Sequence, residues 1–282
     1  MTSSVKRGLG QAAVQVVLIG WTLIVVVPFI LILLLAFRTN KDIFAYPLGI
    51  GGDFTLANFA AAWKGPVGGS GLTIYFQNTL VIAITSLLTT LCAGLPAAFF
   101  STTLSPRALR WFLRLFLVAA IVPLILLVIP YFQIFDRASL LNSPVMVGIT
   151  YGVIVLPTTV LILHSFFVDF PNELVEAAAL DGLGPLGTFA RIVLPLSKGA
   201  VFAVSLLALV FVWGESQLGI VLLQTTNEKS VAVGLLGFRG QWTAELGPIF
   251  AGLALSSIPI VVIYLLFNRY ITKGIALGGV FR

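Results

Sequence analysis

The chain has 282 residues, of which 16 are Lys or Arg and 10 are Asp or Glu. Charged residues make up 9% of it and apolar residues 59%, with a mean hydropathy of +1.09, whereas a soluble domain carries about 25% charged residues. A soluble fold cannot hide that much apolar surface and a disordered chain needs the opposite balance, so most of this protein has lipid as its solvent.

Crossing about 30 Å of hydrocarbon takes about 20 apolar residues. Six stretches are long enough, near 14–37, 78–101, 112–134, 145–167, 199–223 and 247–270. They predict an all-α polytopic membrane protein with one membrane domain over 1–282 and no room for a soluble domain. Lys6 and Arg7 precede the first stretch as they would a secretory signal. That stretch is too long for a signal core and no small-x-small site follows it, so it reads as a retained span.

The bases sit singly at the ends of apolar runs, which suits membrane topology and not nucleic-acid binding. With the N-terminus in the cytoplasm, Lys6, Arg7, Arg107, Arg110, Arg114, Arg191, Lys198, Arg269, Lys273 and Arg282 lie inside. Arg38, Lys41, Lys64, Arg137, Lys229 and Arg239 lie outside. The excess predicts cytoplasmic N- and C-termini. Prolines 28, 96, 123, 130, 157 and 259 fall within spans. Small residues recur four apart in Ala93/Ala97, Gly94/Ala98 and Gly252/Ser256. Both features fit a tight helix bundle, or kinked helices around a gated path. Two outer loops are long, 39–77 with its glycine-rich 65–71 and 224–246 with Trp242. Each could meet an external partner or be a plain connector.

The loop 169–198, between the fourth and fifth stretches, carries the most information. It predicts a short helix: Pro171 at its first turn, Glu173 and Glu176 near its start, Ala177 to Ala179 in its middle, Gly182 as its stop. Leu183-Gly184-Pro185 turns the chain, and a second helical run from Leu186 to Val193 ends before Leu194-Pro195. Glu173 and Glu176 share a face. Four of the ten acids, Asp169, Glu173, Glu176 and Asp181, fall in this segment. Anionic headgroups disfavour so acidic a helix, which favours a protein partner over a connector resting on the membrane.

Glu176-Ala177-Ala178, then Gly182, then Ile192-x-Leu194-Pro195 resembles the EAA motif of ABC importer permeases. The resemblance runs to the C-terminus. Pro123…Ile129-Pro130…Leu140-Leu141-Asn142, Phe166-Phe167…Phe170-Pro171 and Trp213-x-Glu215 are similar to the carbohydrate-uptake branch, as is the overall layout to its smaller, six-span, maltose-type permeases. Gly214 stands where that branch carries an asparagine. The glycine-rich tail Gly274…Gly278-Gly279-Val280 is also similar, but Phe281 and Arg282 depart from the family's ending.

The resemblance implies a type I importer permease in a prokaryotic inner membrane, half of a translocation path for a sugar or sugar-like solute. Its expected partners are a second permease as a heterodimer, two cytoplasmic ATPase subunits, an external solute-binding protein and membrane lipid; nucleic acid is not expected. ATP and Mg would sit on the ATPase subunits, with no cofactor or metal on this chain. Glu173, Glu176, Ala177, Ala178, Asp181, Gly182, Ile192, Leu194 and Pro195 would form the coupling loop that grips the ATPase. The alternatives are a permease for polyamine, phosphate or amino acid, and an ion-coupled secondary transporter.

A catalytic reading lacks parts. There is no Walker A sequence, and the one histidine, His164, has no second ligand nearby in sequence; it reads as a helix-end or packed polar residue. The one cysteine, Cys92, allows no internal disulfide. Glu215 is the one acid placed within a span, clustered with Trp213, Ser216 and Gln217. An intramembrane charge is costly, so Glu215 either lines a solute path or braces a neighbouring helix. Trp213, Glu215, Gln217 and Asn78 are the path candidates.

Overall fold

A computed structural model describes residues 2–238 and 245–280. Arg239, Trp242, Phe281 and Arg282 lie outside the described residues, as do the side chains of Lys6, Arg7, Arg269 and Lys273. The chain is nearly all helix and, among the described residues, forms no strand longer than the isolated bridge Arg38↔Phe54. It divides into two compact units, Met1–Leu72 with Leu235–Ser257, and Thr73–Gly234 with Ile258–Arg282.

In the first unit α1 (Thr2–Ala36) runs straight through Pro28. Its residues from Val14 to Leu34 are largely exposed, as a helix facing lipid should be. The connecting segment carries two short helices, α2 (Asn40–Ala45) and α3 (Ala57–Lys64). Polar side chains tie it down. The Arg38 guanidinium donates to the Gly49 and Gly52 carbonyls at 3.1 and 2.7 Å. The Asn58 amide donates to the Ala36 and Arg38 carbonyls at 2.8 and 2.7 Å. Phe37 stacks on Phe54 with ring centres 4.8 Å apart.

The second unit holds α4 (Leu72–Ser101), α5 (Pro106–Ile121), α6 (Leu124–Arg137) and α7 (Pro144–Val168). The loop helices α8 (Asn172–Leu180), α9 (Pro185–Thr188) and α10 (Leu194–Leu196) follow. Then come α11 (Lys198–Gly214), α12 (Gly219–Leu222) and α13 (Val231–Leu235). The last helix, α14 (Leu246–Val280), includes the glycine-rich tail up to Val280.

Four helices are long and apolar enough to cross a membrane, or up to six if each of two bent pairs counts as one span. Hydropathy predicts one run over 112–134. The chain instead breaks there into α5 and α6, which meet at 91°. Pro123 has no N–H and clashes with a helical predecessor, and Val122 is accordingly extended at φ −62°, ψ 118°. The run predicted over 199–223 stops at Gly214. The run predicted from Leu186 to Val193 starts at Pro185 and continues through Pro195 to Leu196, by way of a wide π-turn at Phe189–Val193.

Two glycines of α7 set its packing on α4. A Cβ on Gly148 would lie 2.7 Å from the Ile82 carbonyl, and one on Gly152 would lie 2.7 Å from the Ser86 carbonyl. Thr90 donates to the Gly152 carbonyl at 3.0 Å. Gly94 also faces α7, but meets side-chain methyls of Leu156 and Thr159 at 3.2 and 3.3 Å. The sequence reading names Gly94 and Ala98; the Gly148-x-x-x-Gly152 pair makes the nearer backbone approach.

Candidate functional site

The loop helix is built by local rules. Pro171 precedes α8 as its N-cap, one position before the helical turn where the sequence places it. At the other end the Leu183 amide donates to the Ala178 carbonyl at 2.9 Å, and the Gly182 amide to Ala179 at 3.1 Å. This pair of bonds is a Schellman stop, which needs a left-handed residue at the turn. Gly182 supplies it, at φ +79°.

The helix is exposed around most of its girth, Asn172, Leu174 and Ala179 included, and its one buried residue is Ala178. Glu173, Glu176, Ala177 and Leu180 lie at i, i+3, i+4 and i+7 and are all exposed, Leu180 at 89%. Asp181 and Gly182 continue that surface. Ala178 does not: it is 1% exposed and packs inward. Ile192 and Leu194 are half-buried and Pro195 is exposed.

Aromatic rings pin this loop to the ends of two long helices. Phe189 lies 5.0 Å from Phe99 and 6.2 Å from Phe100, ring centre to ring centre. Phe99 in turn meets Phe167 edge-on at 5.8 Å. Val193 is fully buried in the same core, with Leu95, Ala98, Val160, Leu163 and Val204. His164 is a packed polar residue beside this cluster: its Nδ1 lies 2.6 Å from the Ser101 hydroxyl. That hydroxyl donates to the Ala98 carbonyl at 2.7 Å.

The second candidate region is an elbow where α11 ends. Glu215 is the first residue past the helix, at φ −72°, ψ 124°, and is 6% exposed. Its carboxylate accepts from the Leu218 amide at 2.9 Å, from the Gly219 amide at 3.1 Å, and from the Tyr151 hydroxyl of α7. Leu218, Leu222 and Leu223 then sink into a core with Ile82, Val147 and Tyr151. The Asn142 side chain accepts from the Gln224 and Thr225 amides, each at 2.7 Å, which closes the far end of the elbow.

The path candidates therefore meet at one region in different ways. The Glu215 carboxylate oxygens are taken by three donors. Trp213 is half-buried with its ring 6.2 Å from Phe76, and Gln217 is exposed. Asn78 donates to the Asn227 and Lys229 carbonyls at 2.7 and 3.1 Å, and so holds the segment after the elbow. Sequence reasoning missed Tyr151 and named Asn142 only as part of a motif, with no role. A lone tyrosine in an apolar run, whose hydroxyl needs a partner, was the available signal for the first.

A cavity of about 550 Å³ opens among α5, α6, α7 and α11, apolar but for Tyr131, Thr158 and Thr159. None of the path candidates lines it. Among the described residues no three His, Cys, Asp or Glu side chains come together as a metal site.

Apolar helices of spanning length, with an exposed helical loop pinned to their ends, define a multi-pass membrane protein. The solved structure of a bacterial ABC transporter involved in the import of the acidic polysaccharide alginate shares this fold: TM-score 0.76, 19% identity, 96% of this chain and 99% of that one covered. Residues 90–277 match the family described as binding-protein-dependent transport system inner membrane component, and the chain belongs to that family. It is therefore a transport component and not an enzyme. It is 27% identical to the Probable ABC transporter permease protein YurM of Bacillus subtilis, over 98% of this chain and 90% of that protein. It is 28% identical to the trehalose/maltose transport system permease protein MalG of Thermococcus litoralis, over 89% and 90%. It is 26% identical to the melibiose/raffinose/stachyose import permease protein MelC of Bacillus subtilis, over 90% and 91%.

Proposed function

We propose that this chain is one permease subunit of a sugar importer in a prokaryotic cytoplasmic membrane. The whole chain acts as one membrane domain with six crossings, each bent pair counted once, and both termini in the cytoplasm. It pairs with a second, different permease. An external binding protein delivers the solute, and two ATPase subunits hold ATP and Mg. The observation that carries this reading is the exposed stripe Glu173/Glu176/Ala177/Leu180, on a helix whose loop is fastened by Phe189 and Val193 to α4 and α7. A push on such a stripe reaches the spans directly, as alternating access requires.

Asp181, Gly182, Ile192, Leu194 and Pro195 complete the coupling loop. Ala178 serves as its inner support. Trp213 and Gln217 are the path residues, and Glu215 and Asn78 hold the elbow beside them. Two of the named relatives are named for di- and oligosaccharides, which supports a saccharide over polyamine, phosphate or amino acid. Membership of a binding-protein-dependent family speaks against ion coupling.

The test is co-purification from native membranes with Glu176→Arg and Leu180→Arg beside the unaltered chain. The unaltered chain brings down an ATPase and a second permease; the two variants insert in the membrane but lose the ATPase. Undiminished ATPase recovery with both variants would refute the coupling role.

A further inference from the structure

The start of α5 carries a surface that the coupling loop and the elbow leave unused. Ser105 caps the helix and Pro106 opens it. Arg107, Arg110, Trp111 and Arg114 then follow at helical spacing on one exposed stripe, with Trp111 68% exposed. The stripe continues through Val118 and Ile121, 64% and 69% exposed. The opposite side packs inward through Phe112 and Phe116, whose rings are 4.7 Å apart.

The three guanidinium groups face no acid among the described residues. Arg110 donates to the Pro106 carbonyl at 3.2 Å and Arg114 lies over the Trp111 ring at 5.5 Å. Among the described residues, no carboxylate pairs with Arg107, Arg110 or Arg114. The bases occupy the first two turns, roughly 10 Å of helix, and only apolar side chains follow on that stripe. A surface that passes from guanidinium and indole to bare hydrocarbon within one helix matches the passage from headgroups to acyl chains.

We infer that this basic start of α5 is a binding surface for anionic phospholipid. Each guanidinium offers a fork of donors to phosphate oxygens. An anionic headgroup leaves its negative charge uncompensated, whereas a choline headgroup neutralises its own. Trp111 sits at the level where indole rings prefer to lie and holds Arg114 beside it. The inference rests on the chain's place in a membrane and not on its solute or its ATPase.

Brominated lipids quench tryptophan on contact, which makes Trp111 the reporter. The full-length chain is placed in phosphatidylcholine vesicles containing either dibrominated phosphatidylglycerol or dibrominated phosphatidylcholine at equal mole fraction. The Trp111 signal is the difference between the unaltered chain and Trp111→Phe. Phosphatidylglycerol is expected to quench it several-fold more strongly. The preference falls as salt shortens the screening length from about 10 Å to about 3 Å. It falls with each arginine replaced by glutamine and is lost when all three are replaced, while Arg107→Lys/Arg110→Lys/Arg114→Lys retains most of it. Equal quenching by both lipids would overturn the inference. So would a Trp111 signal that neither lipid touches, since a protein surface would then cover the site. If the glutamine variant does not fold, the salt titration of the unaltered chain decides, and a salt-insensitive preference overturns it.

Discussion

Glu215 and Gly182 show how much a single position can owe to backbone geometry. Replacing Glu215 by alanine strands the Tyr151 hydroxyl and the Leu218 and Gly219 amides. A buried donor left unsatisfied costs about 1–3 kcal/mol, so Glu215→Ala lowers the thermal unfolding midpoint of the purified chain and lowers solute uptake, while the ATPase still co-purifies. Glu215→Gln, which keeps an acceptor, falls between. Unfolding followed by intrinsic fluorescence, with uptake into vesicles, checks both. At Gly182 the space around an added Cβ is empty, so the penalty is purely one of a left-handed backbone, about 1–2 kcal/mol for an ordinary residue. Gly182→Asn is therefore milder than Gly182→Ala, and Gly182→Val is the worst of the three; recovery of the ATPase in a pull-down should follow that order. An order set by side-chain size alone would contradict this account.

At the scale of elements, the α1–α4 connection is organised around Asp42. Its carboxylate accepts from the Thr39 hydroxyl at 2.7 Å and from the Asp53 amide at 3.2 Å. These bonds, the Thr39 one foremost, hold its pKa below the ordinary carboxylate value against the opposing effect of desolvation, with Lys41 and Arg38 adding to the depression. A depressed carboxylate favours the folded arrangement at pH above its unfolded value and loses that contribution as pH falls through the depressed one. Hydrogen exchange at the Asp53 amide, corrected for intrinsic rate, should be flat near neutrality and quicken in acid below the usual carboxylate range; Asp42→Asn should remove the step.

The same scale shows what can be read from the chain and what cannot. The α8 helix was legible because Gly182 and the acid-rich start are local signals. The breaks after α5 and α11 were not, because hydropathy sums apolar residues without registering that Val122 and Glu215 leave the helical conformation. The inward side of Ala178 was not legible, because alanine suits either face of a helix and only the packing of the whole loop turns it inward. Tyr151 stayed hidden because its partner Glu215 is 64 residues away, beyond any local pattern.

For the whole molecule, the α4–α7 contact predicts a sharp contrast between neighbouring glycines. A side chain at Gly152 runs into the Ser86 backbone at 2.7 Å, and a carbonyl in a helix cannot step aside. Gly152→Val should abolish accumulation of folded protein, as seen by size-exclusion chromatography in detergent. Gly94→Ala meets only the ends of Leu156 and Thr159 at 3.2–3.3 Å. These can give by a few tenths of an ångström, so that variant should fold and transport. Equal outcomes for the two would mean that the helices have more room than the packing indicates.

That close packing has a mechanical corollary. Two helices joined backbone to backbone along Gly148 and Gly152, and bonded through Thr90, cannot slide or part without breaking the seam, so they move as a single rigid lever. Whatever bending the second unit undergoes must fall at its weak joints. Two such joints are the 91° break between α5 and α6 and the 77° break at Ser197 between the loop helices and α11. The second joint lies between the loop helices and α11, so bending there would swing α11 and the elbow at its far end.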